Sequence, residues 1–161
     1  MASQPDSPCF DDLPPVAAEV ARGVTRLFCR QDLYAICEVP LANGRRADLM
    51  AIDAKGGLTI VEIKVAKADL LGDCKWTDYL DYCDRFFWAV PAELASLCDG
   101  ERFLPGAAGL IVADRYDAAV IREAVLRPLA PARRKAELLR FARRAARRLS
   151  TQIDPSLGDD H

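Results

Sequence analysis

The chain has 161 residues, of which 51% are hydrophobic and 29% charged, and a net charge of −2, which is the profile of one globular domain. No apolar run reaches the roughly 20 residues of a membrane span, and the Pro-rich N-terminus lacks the apolar core of a secretory signal, so we expect a cytoplasmic protein. The only histidine is His161, which excludes histidine triads and histidine metal sites and leaves carboxylates, lysine and a metal ion for catalysis.

The first half of the chain predicts a helix followed by three strands. Pro14 and Pro15 are typical of a helix start. Asp11 or Asp12 can cap this helix, whose apolar residues recur at helical spacing to about residue 30. The strands are predicted over residues 34–41, 45–53 and 58–66, and the turn sequences NG and KGG separate them.

The second half predicts a helix, further strands and a long basic helix. The first helix is expected from Asp69 or Gly72 to Arg85. After it we predict strands over 86–91 and 107–114, a short helix over 92–97, a strand or helix over 118–125, and an amphipathic helix over 132–149. Together these elements predict one α/β domain over 13–150, a mixed sheet flanked by helices, with a flexible leader over 1–12 and an acidic tail over 151–161.

Six cysteines are spread along the chain without a C-x-x-C pair. They lie at positions 9, 29, 37, 74, 83 and 98. This spacing argues against a zinc site, and we expect reduced thiols, as is usual in the cytosol.

The segment LTIVEIKVAK, residues 58–67, reads as a buried strand that contains two charges. Glu62 and Lys64 share one face of this strand, because side chains alternate with a period of two. Burial of an ionised group is costly unless another group pairs with it. One interpretation is a structural ion pair, in which Asp48 bridges to Lys64 across the strands without a metal.

A second interpretation places Asp48 and Glu62 at a common ion. If the KGG loop has three residues, Ala54 pairs with Leu58, and Asp48 lies opposite Lys64 and diagonal to Glu62 on the same face. A two-residue Gly-Gly turn would instead place Asp48 on the opposite face. Two converging carboxylates suit Mg²⁺ or Mn²⁺, and an adjacent lysine can orient a metal-bound water for attack on a phosphodiester.

The order of Asp48 and, about a dozen residues later, Glu62-Ile63-Lys64 resembles the D…E-x-K core of the PD-(D/E)xK nuclease superfamily. Over about residues 15–125, which include RRADLMAID and VEIKVAKADLLGDCKWTDYLDYCDRFFWAVP, the chain resembles the MmcB-like bacterial DNA-repair proteins, for which endonuclease activity is proposed. The resemblance implies a restriction-endonuclease-like core of order α-β-β-β-α-β. It implies Asp48 and Glu62 as metal ligands. It also implies that the Ile63 carbonyl completes the metal site and that Lys64 steers the attacking water.

The resemblance also brings in residues outside this triplet. Glu19 lies on the first helix, where some superfamily members place an extra acidic ligand, although a solvated helix acid is the alternative. Lys75 and Tyr79 have the spacing of the Q-x-x-x-Y motif of some relatives, with lysine in place of glutamine and a phosphate contact as its expected role. Lys67, Trp76 and Tyr79 are further candidate DNA contacts, although packing is the favoured interpretation of Trp76 and Tyr79.

The predicted C-terminal helix is strongly basic, with eight basic side chains and one acid over residues 133–148. Its apolar face is predicted to consist of Leu138, Ala142, Ala145 and Leu149, and the opposite face of Arg133, Arg140, Arg144 and Arg147. Such one-sided charge favours a polyanionic partner, so Arg140, Arg144 and Arg147 are candidate DNA contacts. A solvated helix face is the alternative.

The sequence therefore predicts a nucleoid-associated DNA repair protein that hydrolyses DNA with Mg²⁺ or Mn²⁺ and has no membrane partner. A homodimer is an open expectation, since small nucleases of this superfamily often dimerise. One alternative function is a DNA-binding repair accessory that keeps the nuclease fold without useful turnover. Another is a protein-interaction module that uses the arginine helix on an acidic partner.

Overall fold

The computed structural model describes residues 13–158, which form a six-stranded sheet with helices on both faces. The strands are β1 Tyr34–Pro40, β2 Arg46–Ile52, β3 Leu58–Ile63, β4 Arg85–Val90, β5 Gly109–Ala113 and β6 Ala118–Arg122, and they lie in this order across the sheet. The helices are α1 Pro15–Arg30, α2 Lys67–Gly72 and α3 Pro131–Ile153. Short 3-10 helices cover Trp76–Tyr82, Ala92–Asp99, Glu101–Phe103 and Pro155–Gly158.

The strand directions make the sheet mixed, as predicted. β1, β2 and β3 form an antiparallel meander, β3, β4 and β5 are parallel, and β6 returns antiparallel to β5. The segment 118–125, for which strand and helix were both open, starts as β6. α3 continues beyond its predicted end, so the predicted acidic tail begins as helix. The leader 1–12, with Asp11 and Asp12, and residues 159–161 lie outside the described residues.

The single helix predicted from Asp69 or Gly72 to Arg85 is wrong. α2 ends at Gly72, Asp73 adopts extended backbone angles, and a separate 3-10 helix begins at Trp76. The Asp73 carboxylate accepts a hydrogen bond from the Lys75 N–H at 3.0 Å, and this local contact competes with helix continuation. The apolar spacing misled the prediction because both helix types place residues three apart on the same side.

The β2–β3 hairpin has a three-residue loop, but its register differs from the prediction by two residues. Ile52, not Ala54, pairs with Leu58. The reason is Asp53, whose N–H donates to the Gly57 carbonyl at 3.0 Å and whose carboxylate accepts from the Gly57 N–H at 2.8 Å. Gly56 closes the loop with a φ of +84°, a conformation that favours glycine. A shift by two residues leaves every side chain on its predicted face.

The sheet is buried on both faces. α1 covers one face with Val20, Val24 and Phe28, which pack on apolar residues of β2, β3 and β4. On the other face Trp88 lies at the centre of an aromatic cluster, and its ring centroid is 5.1 Å from that of Trp76. The rings of Phe86 and Phe103 complete this cluster at 5.3 and 5.5 Å. This second layer carries the site described below.

The side of the C-terminal helix α3 that packs on the protein only partly coincides with the predicted apolar face. Phe141 is buried and Leu138 partly buried, but Leu149 of the predicted apolar face is 59% exposed. Charged side chains anchor the inner side instead, because they reach hydrogen-bond acceptors that an apolar side chain cannot use. Arg134 pairs with Asp84 at 2.5 Å, and Arg148 donates to the Glu38 carbonyl at 3.0 Å.

Two further expectations from the sequence were reduced thiols and the absence of a membrane span. Cys29, Cys74, Cys83 and Cys98 have free thiols, as expected. Cys37 is disulfide-bonded, which corrects the expectation of reduced thiols for that residue. Within residues 13–158 none of the helices combines the length and the apolar character needed to cross a bilayer.

Candidate active site

Two carboxylates from neighbouring strands meet on the second face of the sheet. Leu49 of β2 pairs with Val61 of β3, and continuation of this register places Asp48 opposite Glu62. Asp48 Oδ2 accepts a hydrogen bond from the Ile63 N–H at 2.7 Å, and the two carboxyl groups hydrogen bond to each other. The expectation that Asp48 and Glu62 share one face is confirmed, but the two are directly opposite instead of diagonal.

The two carboxyl groups share a proton. Burial and the neighbouring Asp48 carboxylate raise the pKa of Glu62 to about 10. Burial also raises the pKa of Asp48, against the opposing effects of its hydrogen bonds with Glu62 and the Ile63 N–H and of the Lys64 charge. At neutral pH the Glu62 carboxyl group therefore stays protonated beside Asp48.

One oxygen of this pair lacks a partner. Glu62 Oε2 is buried and has no hydrogen bond, a condition that costs free energy in a protein interior. A divalent cation satisfies such an oxygen, and an oxygen-only donor set suits Mg²⁺ or Mn²⁺. No group of three or more aspartate, glutamate, histidine or cysteine side chains converges as a metal site within residues 13–158. The residues present therefore fit a cation held by two carboxylates, with further ligands from backbone, water or substrate.

Lys64 lies just past the end of β3 and does not bridge to Asp48. Its ammonium pairs with Asp73 at 3.0 Å, and both side chains are largely buried, at 16% and 14% exposed. The structural ion pair considered from the sequence thus has a different acid from the one expected. Asp73 was missed because its proximity to Lys64 depends on how the chain folds back after α2, and the strand pattern carries no signal of that turn.

An open cleft of about 480 Å³ lies in front of these residues. Asp48, Glu62 and Lys64 form one wall, and Asp69 and Asp73 form another. The start of α1 and the residues around α2 complete the lining. The cleft lies at the carboxyl end of β3, beside the parallel strand β4, which is where ligands bind in many α/β proteins. The carboxylate pair is thus buried on its strand side and faces a cleft on the other.

Tyr79 reaches the carboxylate pair from the core. Its hydroxyl donates to the Arg46 carbonyl at 3.0 Å and also lies in hydrogen-bonding contact with Glu62. Burial and the charge of Glu62 raise the pKa of the Tyr79 hydroxyl. Tyr79 is 8% exposed, so it positions Glu62 and is not a platform for a base.

The other predicted DNA contacts near the cleft differ in how far their side chains are buried. Trp76 is 3% exposed and packs between Phe86 and Trp88, so it is a core residue and has no free face for stacking on a base. This corrects the expectation of a nucleic-acid contact. Lys67 and Lys75 are exposed at the start of α2 and just before the next 3-10 helix, where each can meet a phosphate.

The structure does not bring Glu19 to the metal site. Glu19 lies on α1, 38% exposed, and pairs with Arg115 at 3.6 Å. It does not line the cleft in front of the carboxylate pair. The helix that carries Glu19 packs on the opposite face of the sheet from Asp48 and Glu62, which is why the expected ligand is absent from the site.

The candidate arginines of α3 form one flank of the helix. Arg140 lies 3.6 Å from the buried carboxylate of Glu137, and its Nη1 has no hydrogen-bond partner. Burial and, to a smaller extent, the neighbouring Arg147 lower the pKa of Arg144. Arg147 is exposed, and Arg144 is half-buried.

One of the comparisons with known proteins identifies a family. The model of the MmcB-like DNA repair protein family matches residues 7–156. Among solved structures, the chain is similar to the SPO1766 protein of Silicibacter pomeroyi, a protein of unknown function, at 41% sequence identity and a TM-score of 0.81. That similarity covers 90% of this chain and 95% of the other. No curated protein matches the chain.

Proposed function

The chain belongs to the MmcB-like family of DNA repair proteins, and from this premise we propose that it is a metal-dependent endonuclease that hydrolyses DNA. The observation that carries the proposal is the Asp48–Glu62 pair. These carboxyl groups are buried and share a proton, and one oxygen of Glu62 has no partner. A structural role alone does not require two acids to meet at the wall of an open cleft.

The proposed site has a defined role for each residue. Asp48 and Glu62 would hold Mg²⁺ or Mn²⁺, with the Ile63 carbonyl as a third protein ligand. When bound, such a cation would stabilise negative charge on the phosphate and make water a stronger nucleophile. Lys64 would orient the attacking water toward phosphorus. An ammonium has three N–H donors, so the contact with Asp73 leaves others for this task.

The element order supports a restriction-endonuclease-like core. A helix, an antiparallel three-strand meander, a helical crossover and a parallel fourth strand follow one another from α1 to β4. This order corresponds to the α-β-β-β-α-β core of the PD-(D/E)xK superfamily. In that core the acids belong to the second and third strands, which is where Asp48 and Glu62 lie.

DNA is the proposed substrate and partner. Basic residues suited to phosphates lie beside the cleft and on the flank of α3. They are Lys67, Lys75, Arg140, Arg144 and Arg147. A homodimer remains a proposal inherited from the resemblance, and we assign no face to it.

The test is cleavage of single-stranded, duplex, nicked and branched DNA with Mg²⁺ or Mn²⁺. We expect Asp48→Ala and Lys64→Ala to lose cleavage by about a hundredfold or more, because each removes a group that acts on the reacting phosphate. Asp69→Asn is the matched control, since Asp69 lines the same cleft without joining the carboxylate pair. Cleavage that survives Asp48→Ala would show a contaminant or another site.

A second function is favoured by one observation: the site has two acidic ligands, and its lysine is already paired with an acid. A DNA-binding repair accessory with little or no turnover would tolerate this arrangement. DNA binding without cleavage of any substrate, with either metal, would favour that function over the nuclease.

A further inference from the structure

The outer side of α3 carries a continuous apolar surface. Leu139, Ala142, Ala146, Leu149 and Ile153 recur every three or four residues, and we call them the apolar stripe. Leu139 is 60% exposed, Leu149 59% and Ile153 78%. The stripe extends over about 21 Å at 1.5 Å per residue. Large apolar side chains that are exposed singly are common, but a regular row of them marks an interaction site.

The charges beside the apolar stripe are all of one sign. Arg143 and Arg147 are exposed along one edge of the stripe, and Lys135 is exposed in the row of the stripe itself, four residues before Leu139. Within α3 the only acidic side chain is Glu137, which is buried on the inner side between Arg133 and Arg140. The outer side of the helix therefore combines an apolar row with one basic edge and a lysine at the N-terminal end of the row, and α3 places no acid there.

This charge pattern opposes a second copy of the chain as the occupant. In an antiparallel pair of helices like edges meet, so Arg143 and Arg147 would face their own copies. In a parallel, in-register pair the two Lys135 side chains would meet within the row itself. Both arrangements place cations against cations without an acid between them, which is unfavourable.

We propose that the apolar stripe docks an amphipathic helix of a partner protein whose edges are acidic. The apolar residues of such a helix pack along the stripe, and its glutamates or aspartates pair with Lys135, Arg143 and Arg147. Ala142 and Ala146 lie near the middle of the stripe, and their small side chains allow the two helix axes to approach closely. The surface is distinct from the cleft, so the proposal is independent of cleavage.

The probe is a fluorescently labelled helical peptide of roughly 18 residues, with leucine and alanine at heptad a and d positions and glutamate at e and g. Its control has lysine in place of every glutamate. Fluorescence anisotropy with the full chain measures both. We expect binding of the acidic peptide alone. In the double variant Leu149→Ser, Ile153→Ser that affinity should fall about tenfold or more, because two apolar anchors are removed.

Two variants and two further measurements make the test specific. Ile121→Ser removes an apolar side chain that is 59% exposed on β6 and should leave binding unchanged. Arg143→Glu should weaken the acidic peptide and strengthen the lysine peptide. Equal binding of both peptides by the natural chain, or equal effects of Ile121→Ser and the stripe variant, would overturn the proposal. The proposal would also be overturned if sedimentation showed that the natural chain is a dimer and that the stripe variant is a monomer. A loss of affinity for duplex DNA in the stripe variant as large as its loss of peptide affinity would overturn it as well.

Discussion

At the scale of single residues, the central feature is that the buried Glu62 carboxyl group is protonated beside Asp48. The folded chain keeps Glu62 neutral over a pH range in which the unfolded chain would ionise it, because burial and Asp48 raise the pKa of Glu62 to about 10 from 4.5. The native state therefore binds more protons than the unfolded state in this window. Its free energy of unfolding must fall as the pH rises from 4.5.

Glu62→Gln tests this relation in the absence of divalent cations. Glutamine resembles the neutral carboxyl group, so we expect it to stabilise the chain by roughly 1–3 kcal/mol at pH 8 and to flatten the decline of stability with pH. Urea unfolding in EDTA at several pH values from 5 to 9 measures both effects. Glu19→Gln, at a half-exposed acid away from the cleft, is the control. A variant with the pH slope of the natural chain would show that Glu62 is ionised when folded.

At the scale of elements, the side of α3 that packs on the sheet is fixed by ion pairs more than by apolar residues. Asp84 is the main anchor: it is 3% exposed and accepts hydrogen bonds from the Leu58 and Leu129 N–H groups, each at 2.8 Å, as well as from Arg134. Burial raises the pKa of Asp84, but the hydrogen bonds from Arg134 and the backbone outweigh it and hold the pKa below 3.8.

Asp84→Asn should lower the free energy of unfolding by about 3 kcal/mol at neutral pH, because it removes one charge of a buried pair. Since the pKa of Asp84 is depressed on folding, this contribution is present above pH 3.8 and is lost as the pH falls through the folded value. Urea unfolding of both proteins measures the difference. The control is Asp99, whose side chain is 71% exposed and pairs with Arg122. Asp99→Asn should change the free energy of unfolding by less than about 0.5 kcal/mol, because an exposed ion pair contributes little.

Element types followed from the sequence more closely than the contacts between elements did. The strand around Glu62 and the helix over Pro15–Arg30 were predictable, because apolar periodicity reports directly on burial. The register of the β2–β3 hairpin was not, because hydrogen bonds to the Asp53 side chain selected the loop. The inner side of α3 was not predictable either, because its anchors bond to residues far away in the sequence. Arg134 donates to the carbonyl of Gly56, 78 positions away, and Arg148 donates to that of Glu38, 110 positions away.

At the scale of the whole molecule, acidic and basic surfaces occupy different places. The carboxylates belong to a cleft at the end of β3, whereas the arginine flank belongs to α3, which approaches the same sheet face near β1. The DNA repair family suggests an interaction with DNA, and the basic flank is the surface that we propose for it. Arg144 and Arg147 are neighbours on this flank, so a phosphate bound there would pair with positive charge.

Neutralisation of Arg140, Arg144 and Arg147 to glutamine should reduce the slope of log affinity against log salt concentration by roughly one unit for each DNA phosphate that these side chains neutralise in the natural protein. Fluorescence anisotropy with labelled duplex DNA from 50 to 300 mM salt measures the slope.

The triple variant Arg26→Gln, Arg30→Gln, Arg115→Gln is the matched control. It also removes three positive charges, but from residues of α1 and of the turn between β5 and β6. An unchanged slope in the α3 variant, or an equal change in the control, would remove α3 from the DNA surface.

The double anchoring of α3 has a consequence for any molecule that meets its outer side. Arg134 ties the helix to Asp84 and Arg148 ties it to Glu38, at points about 21 Å apart along its axis. A helix held at both ends cannot fray without breaking charged hydrogen bonds, so its backbone order is part of the order of the sheet. The outer side is thus already in its bound conformation before an encounter, and the entropic cost of ordering falls on the incoming segment alone.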